Sequence, residues 1–366
     1  MESIGQRVRS KIGQSKAHRT QRDVAAAIDM SPDAFSRALS GQRNFSSIEL
    51  AKVAEVLDED VYWLITGEVD PHKILVTARH DFDHATGDRR VPGYDKDKLI
   101  LNDVGLAYRQ GYPQPLAAST TRQLPATPAG VREALGDDCV RNLADRTEDR
   151  LGIDVVRLPG LTTAYSMMIG GRRVIVTPAN LNWFRVNWDL AHELGHFVFN
   201  HHDSEFNSEQ EAAANKFAAE LLLPQGDMTA VDWETIDNAE LARIVWEYGV
   251  STKALGRRLK NVLGSVPALV APWQGVTTQR LLRRYLATDS TEFRIDAITQ
   301  RMEQSTTRRF PLHLLQAHLS RIAAGEITKA TLAWMLDMDA DDLDVDMPEP
   351  QPADLNTLAA DLGMEM

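Results

Sequence analysis

Between Trp188 and His202 the chain reads WDLAHELGHFVFNHH, and no other segment restricts the fold as much. Trp188, Leu190, Ala191, Leu194, Phe197, Val198 and Phe199 put apolar residues on nearly every side of a helix here, as in a helix buried inside a domain. His192, Glu193 and His196 stand within it. A buried polar group without a partner costs roughly 1–3 kcal/mol and a lone charge more, so all three need partners in the protein or an ion. Positions four apart lie one turn apart on nearly the same helix face. His192 and His196 are thus expected to present two imidazoles side by side, with Glu193 at the edge of that face.

The spacing His192-Glu193-x-x-His196 is the zinc-peptidase signature, in which two neutral histidines hold the metal and the glutamate takes a proton from water. Gly195 is expected to leave space for substrate. Such a site wants a third protein ligand and one open position. Asp203, Glu205, Glu209, Glu211 and Glu220 follow downstream. In SEQEAAANKFAAELLLP the small residues Ala212 to Ala214, Ala218 and Ala219 permit a second helix to press against the first, with Glu211 and Asn215 on its inner face. Spacing alone leaves Glu211 open, because Ser208-x-x-Glu211 also reads as a capping box. A second pair, His80-Asp81-x-x-His84, has polar surroundings and reads as a solvated or inter-domain helix.

At 366 residues the chain has room for two or three domains. Cys139 is the only cysteine, which rules out an intrachain disulfide and a cysteine-rich zinc ribbon. No apolar run is long enough to cross a bilayer and the N-terminus does not read as a secretory signal, so the expected location is the cytoplasm, with no membrane partner. The net charge of −12 is unevenly spread. Asp337 to Met366 holds ten acidic residues and no Lys or Arg, whereas residues 1–47 hold eight Lys or Arg against four carboxylates. A polyanion could dock at the N-terminal end.

Arg19 to Glu68 reads as short helices with tight punctuation. Thr20 caps a helix carrying Val24, Ala25 and Ile28, and Asp29–Met30 turns. Ser31 then caps a second helix with Pro32 in its first position, and Gly41 closes it. Phe35 and Leu39 point to the core while Ser36 and Arg37 face outward. Ile48, Leu50, Ala51, Val53, Ala54 and Leu57 supply the next apolar stripe. This is a helix-turn-helix pattern. Residues 70–111 are harder to read, although DKDKLILNDVGLAYRQGY suggests a helix, and Tyr112 to Gly130 reads as a linker rich in Pro, Ser, Thr and Ala. A helix follows, then strands IDVVRL, TTAYSMMI and RRVIVTP, the last two joined by a Gly170–Gly171 hairpin.

Two segments in order, AHELGHFVFNHH and EAAANKFAAELLLP, resemble the metallopeptidase family named for ImmA and IrrE, over about Leu151 to Leu263. The resemblance implies zinc ligands His192, His196 and Glu211 and a catalytic base Glu193, with His201 or His202 as oxyanion donor. One departure is Ala213, where relatives often carry Glu or Gln. TQRDVAAAIDMS, FSRALSGQRNFS and VYWLITGE resemble the Xre family of repressor-like helix-turn-helix domains, over roughly Ile4 to Glu68. That resemblance implies DNA as partner, with Ser31, Asp33, Ser36 and Arg37 at base edges and Gln21, Arg22 and Arg43 on phosphates.

The expected fold class is therefore α+β, in five parts: a helical helix-turn-helix domain (1–69), a connecting region and linker (70–130), a zincin-like domain of small sheet plus helices (131–265), a mainly helical C-terminal region (266–345) and an acidic tail (346–366). The expected function is a DNA-binding zinc metallopeptidase that cleaves a cytosolic protein, a transcriptional repressor, to release genes of a mobile element or stress response, working as a homodimer on two-fold DNA. The alternative is a transcription regulator whose peptidase-like domain senses a ligand or partner without cutting.

Overall fold

The computed structural model describes residues 2–14, 20–57, 59–68, 70, 74–78, 81–82, 89–90, 93–116, 122–201, 208–286 and 291–346. The chain divides into two compact units, Met1–Lys73 and Ile74–Met366.

Among its described residues the first unit holds five helices, α1 (Ile4–Gln14), α2 (Gln21–Ala27), α3 (Pro32–Leu39), α4 (Ser47–Leu57) and α5 (Val61–Thr66). Their ends follow from local chemistry. Thr20 accepts from the Asp23 N–H while its own N–H donates to the Asp23 carboxylate at 2.7 Å, which closes a capping box. Ser31 caps α3 ahead of Pro32, and Asp29 makes the turn between α2 and α3 at φ +59°. Val8, Val24, Phe35, Leu39, Val53 and Leu64 form the core. The stripe expected on α4 is narrower than the sequence suggested: Leu50, Val53 and Ala54 are buried, but Ile48 is 72 % exposed and Ala51 is exposed. Ile48, Ala51 and Glu55 recur at helical spacing and share the outer face.

The second unit opens with β1 (Ile74–Ala78), the short pair β2 (Asp81–Phe82) and β3 (Arg89–Arg90), and α6 (Tyr94–Gly111). There follow α7 (Pro128–Leu135), α8 (Leu143–Arg146), β4 (Asp154–Leu158), β5 (Tyr165–Ile169), β6 (Arg172–Pro178), α9 (Trp183–Val198), α10 (Ser208–Leu222) and α11 (Gln225–Ala230). The helices α12 (Asn238–Glu247), α13 (Thr252–Leu263), α14 (Thr278–Tyr285), α15 (Thr291–Gln304), α16 (Leu312–Ala323) and α17 (Ala330–Leu336) complete it.

The main sheet runs β1-β5-β6-β4, antiparallel except for the parallel β6–β4 pair. Gly170 and Gly171 take φ of +54° and +80° between paired Ile169 and Arg172, a two-residue hairpin that side chains with a Cβ would strain. Period-two alternation divides the sheet. Val156, Tyr165, Met167, Val174 and Val176 face a core with Leu101, Val104 and Tyr108 of α6 and Leu314 and Ile322 of α16. Val155 and Ile175 join the opposite core with α7, α9, α10 and α12 to α14.

Residues 70–130 are thus more than a connection. β1 is an edge of the sheet and α6 covers one face, where buried Asp97 accepts from Thr162 N–H at 2.9 Å, Thr162 Oγ1 at 2.6 Å and Tyr165 Oη at 2.8 Å. Nor do residues 266–345 stand apart. Arg309 and Arg157 exchange backbone hydrogen bonds of 2.9 Å at the free edge of β4, and His313 of α16 reaches Asp154 at 2.9 Å. Both regions belong to one unit because the sheet needs helices on each face to be buried. His80, His84 and the acidic tail beyond Asp346 lie outside the described residues. Among the described residues, no helix is long and apolar enough to cross a membrane.

Candidate metal centre

Asn182 starts α9 by accepting from the Arg185 N–H, and the helix then passes under β6 and β5. Every residue from Asp189 to Phe197 is buried. α10 packs along α9 through Ala214, Phe217 and Ala218, all buried, while Ala212 is exposed. The close approach occurs at Gly195. A Cβ there would stand 3.1 Å from Phe217 Cδ1 and 3.2 Å from Ala214 Cα. Gly195 therefore admits the second helix, and the expectation that it leaves room for substrate is corrected.

The pairing brings Glu211 to the two histidines. His192 Nε2 lies 3.2 Å from His196 Nε2 and 3.2 Å from Glu211 Oε2, and His196 Nε2 lies 3.3 Å from Glu211 Oε1. Two imidazoles and a carboxylate in a triangle of this size fit a small cation held tetrahedrally, whose ligands at about 2.0–2.2 Å stand roughly 3.3–3.6 Å from one another. Among the described residues they are the group of three able to share a metal ion. Glu211 Oε1 is buried and faces His196 Nε2 at 3.3 Å without a well-formed hydrogen bond. The carboxylate of Glu211 is turned to the histidines, so the capping-box reading of Ser208 and Glu211 gives way. Burial would raise its pKa, but the two imidazoles outweigh this and hold it down to about 2.

Glu193 is 1 % exposed, and one of its oxygens, Oε2, has no hydrogen-bond partner. Burial pushes its pKa up to about 7, against the pull of His196 and of Ser166. Ser166 is buried on β5 and went unnoticed in the sequence, where its only signal is a hydroxyl within the apolar run YSMMI. His201 stands with Nδ1 at 2.8 Å from Nδ1 of His196. Burial lowers the pKa of His201, and its Nδ1 is placed to accept from an Nδ1–H of His196, the tautomer that leaves Nε2 of His196 facing Glu211 and His192. The contact orients the His196 ring and leaves Nε2 of His201 as the atom that would serve the expected oxyanion role. His202 and the alternatives Asp203 and Glu205 lie outside the described residues; Glu209 does not join the cluster, and Glu220 pairs with Arg258.

Residues 148–260 match the family model of the IrrE N-terminal-like domain, peptidase family M78. The match spans β4 to α13 and contains His192, Glu193, His196, His201 and Glu211. It begins after β1, α6 and α7, so the IrrE N-terminal-like segment supplies three of the four strands of the sheet. The metal-binding arrangement and the peptidase family agree on a metallopeptidase-like function. No curated protein and no solved structure compared with the chain matches it.

In the first unit, Gln21, Arg22, Ser31, Asp33, Ser36 and Arg37 are all exposed. Asp33 and Arg37 pair at 3.2 Å on the outer face of α3. Arg43, expected to meet phosphate, is half-buried and donates Nη2 to Glu49 at 2.7 Å.

Proposed function

We propose that this chain is a zinc-dependent peptidase that cleaves another protein in the cytoplasm. The reading is carried by the convergence of His192, His196 and Glu211 on one point beside Glu193. Two imidazoles and one carboxylate are the donor set of catalytic zinc sites that keep a position open. Bound there, Zn2+ supplies Lewis-acid polarisation of a peptide carbonyl and acidifies water. Glu193 takes the proton from the attacking water and passes it to the leaving amine nitrogen. Its buried position shields this transfer from bulk solvent. His201 fixes the ring of His196 while this happens.

The substrate in this reading is a transcriptional repressor, and residues 1–69 hold the enzyme on DNA as one of a pair on a two-fold site. Tethering would raise the local concentration of enzyme at a bound repressor. Ser31, Ser36 and Arg37 reach the bases, Asp33 accepts from a cytosine amine, and Gln21 and Arg22 meet phosphates. The experiment is to incubate the zinc-loaded chain, and its Glu193→Gln variant, with helix-turn-helix repressors and to search for new N-termini by mass spectrometry. Cuts made only by the parent support the proposal; no cut, or the same cut by both, counts against it. Binding to operator duplex that ignores Arg37→Gln and does not weaken with salt would remove the DNA half.

A further inference from the structure

A cavity of about 410 Å³ opens where α8, β4, the start of α9 and residues 301–309 meet. None of His192, Glu193, His196 and Glu211 lines it. Five arginines do, Arg141, Arg157, Arg301, Arg308 and Arg309, against one carboxylate, Asp145. Two of the five are already neutralised: Arg309 pairs with Glu148 and Asp145 at 2.7 Å, and Arg308 with Asp337 at 2.9 Å.

Among the described residues neither Arg157 nor Arg301 forms a salt bridge, and Asp145 offsets the charge of Arg157 only through space. Arg157 donates Nη1 to the Gln304 carbonyl at 2.9 Å, and the Arg301 guanidinium lies 4.1 Å from the centre of the Trp246 ring. Burial pushes both down to about 10, helped by Arg309 for the first and Arg141 for the second. Arg157 Nε, Arg308 Nε and Trp183 Nε1 are buried without an acceptor, and Trp183 is only 5 % exposed. All of these groups are donors with no accepting capacity. Surplus half-buried cations beside orphaned N–H groups are costly alone and are relieved by an anion rich in acceptor oxygens.

We propose that this cavity binds a small phosphate-bearing anion. Its donors come from β4, α9, α15 and the strand-like segment after α15, so they approach from several directions. That suits a tetrahedral oxyanion, whereas a planar carboxylate is satisfied by one guanidinium fork. A second cavity shares Arg141, Asn142, Arg301 and Gln304 and adds Trp246, Glu247 and an Arg243 already paired with Glu240, a lining that suits a nucleoside rather than a second phosphate. Phosphate is the common chemistry, and inorganic pyrophosphate and a nucleotide are its two sources.

The test titrates the full chain with pyrophosphate, ATP, adenosine and citrate, followed by tryptophan fluorescence and calorimetry. The expected result is saturable binding of pyrophosphate and ATP, silence with adenosine, and the same affinities in Glu211→Gln, where the cavity is intact. Arg157→Gln and Arg301→Gln each weaken binding about tenfold or more, and Trp183→Phe, which keeps a ring but lacks the N–H, weakens it less. Comparable affinity for pyrophosphate and ATP assigns recognition to phosphate alone; tighter ATP adds the nucleoside. Melting temperatures report which variants fold, and any one of the three that folds suffices for the comparison. Absence of saturable binding, indifference to the arginine and tryptophan changes, loss of binding in Glu211→Gln, or tighter binding of citrate overturns the proposal.

Discussion

His192 and His196 bring their Nε2 atoms to 3.2 Å of each other, and a carboxylate oxygen of Glu211 lies within 3.3 Å of each. Without a proton between them, two imidazole lone pairs at this distance repel, and a cation removes the conflict. Metal binding is therefore expected to stabilise the fold by about 4 kcal/mol when free metal exceeds Kd a thousandfold. Calorimetry with and without chelator, beside elemental analysis of parent and Glu211→Ala, checks this. An unchanged melting temperature and a metal-free protein would remove the centre altogether.

Glu193 stands outside the group of three side chains close enough to share a cation. Glu193→Gln should keep the parent's metal content while losing turnover by roughly 10²- to 10⁴-fold, the usual share of a general base. A variant that loses metal and activity together would make Glu193 a ligand.

Gly195→Ala tests the helix contact. Alanine is the better helix former by about 1 kcal/mol, yet the new methyl would meet Ala214 Cα at 3.2 Å. Overpacking of this kind costs typically about 1–3 kcal/mol, so a net loss of stability and a weaker metal site are expected. Chemical denaturation and zinc competition measure the two, and a more stable variant with unchanged zinc affinity contradicts the packing described.

His313 donates to Asp154, and that hydrogen bond raises its pKa above the ordinary value. A raised folded-state pKa contributes stability that is full below the unfolded value of about 6.5 and is lost as pH rises through the folded one. The His313 side chain is 45 % exposed, so solvent screens the pair and the effect stays at or below about 1 kcal/mol. The stability gap between parent and His313→Asn should accordingly shrink from pH about 6 to pH about 9. A gap that widens with pH would reverse the assignment.

The segment matched by the family model holds only part of the core on one face of the sheet. Residues 148–260 alone lack β1, α6 and α16, which leaves Val156, Met167 and Val176 facing water. Expressed alone that segment should aggregate, and residues 74–346 should be monodisperse. Size-exclusion chromatography decides between them.

Much of the centre was legible because its parts are local. His192, Glu193 and His196 sit on one turn-spaced face, and the alanines near Glu211 foretold a close second helix. The Gly170–Gly171 hairpin and the Thr20 and Ser31 caps are equally local signals. β1 was missed because ILVTA is short and its partner Ile169 lies far along the chain. The arginine cavity was invisible for the same reason: Arg157 and Arg309 sit more than 150 residues apart. Gly195 was misread because the sequence shows a missing side chain without showing what fills its place.

That small residue separates the chemistry from the scaffold. A descendant that gave up hydrolysis could discard Glu193 at little structural penalty, yet it would still need Gly195 against Ala214 to keep its two helices in register. Silent cousins of this chain should be sought by that pair of small positions, which outlast the reaction they frame.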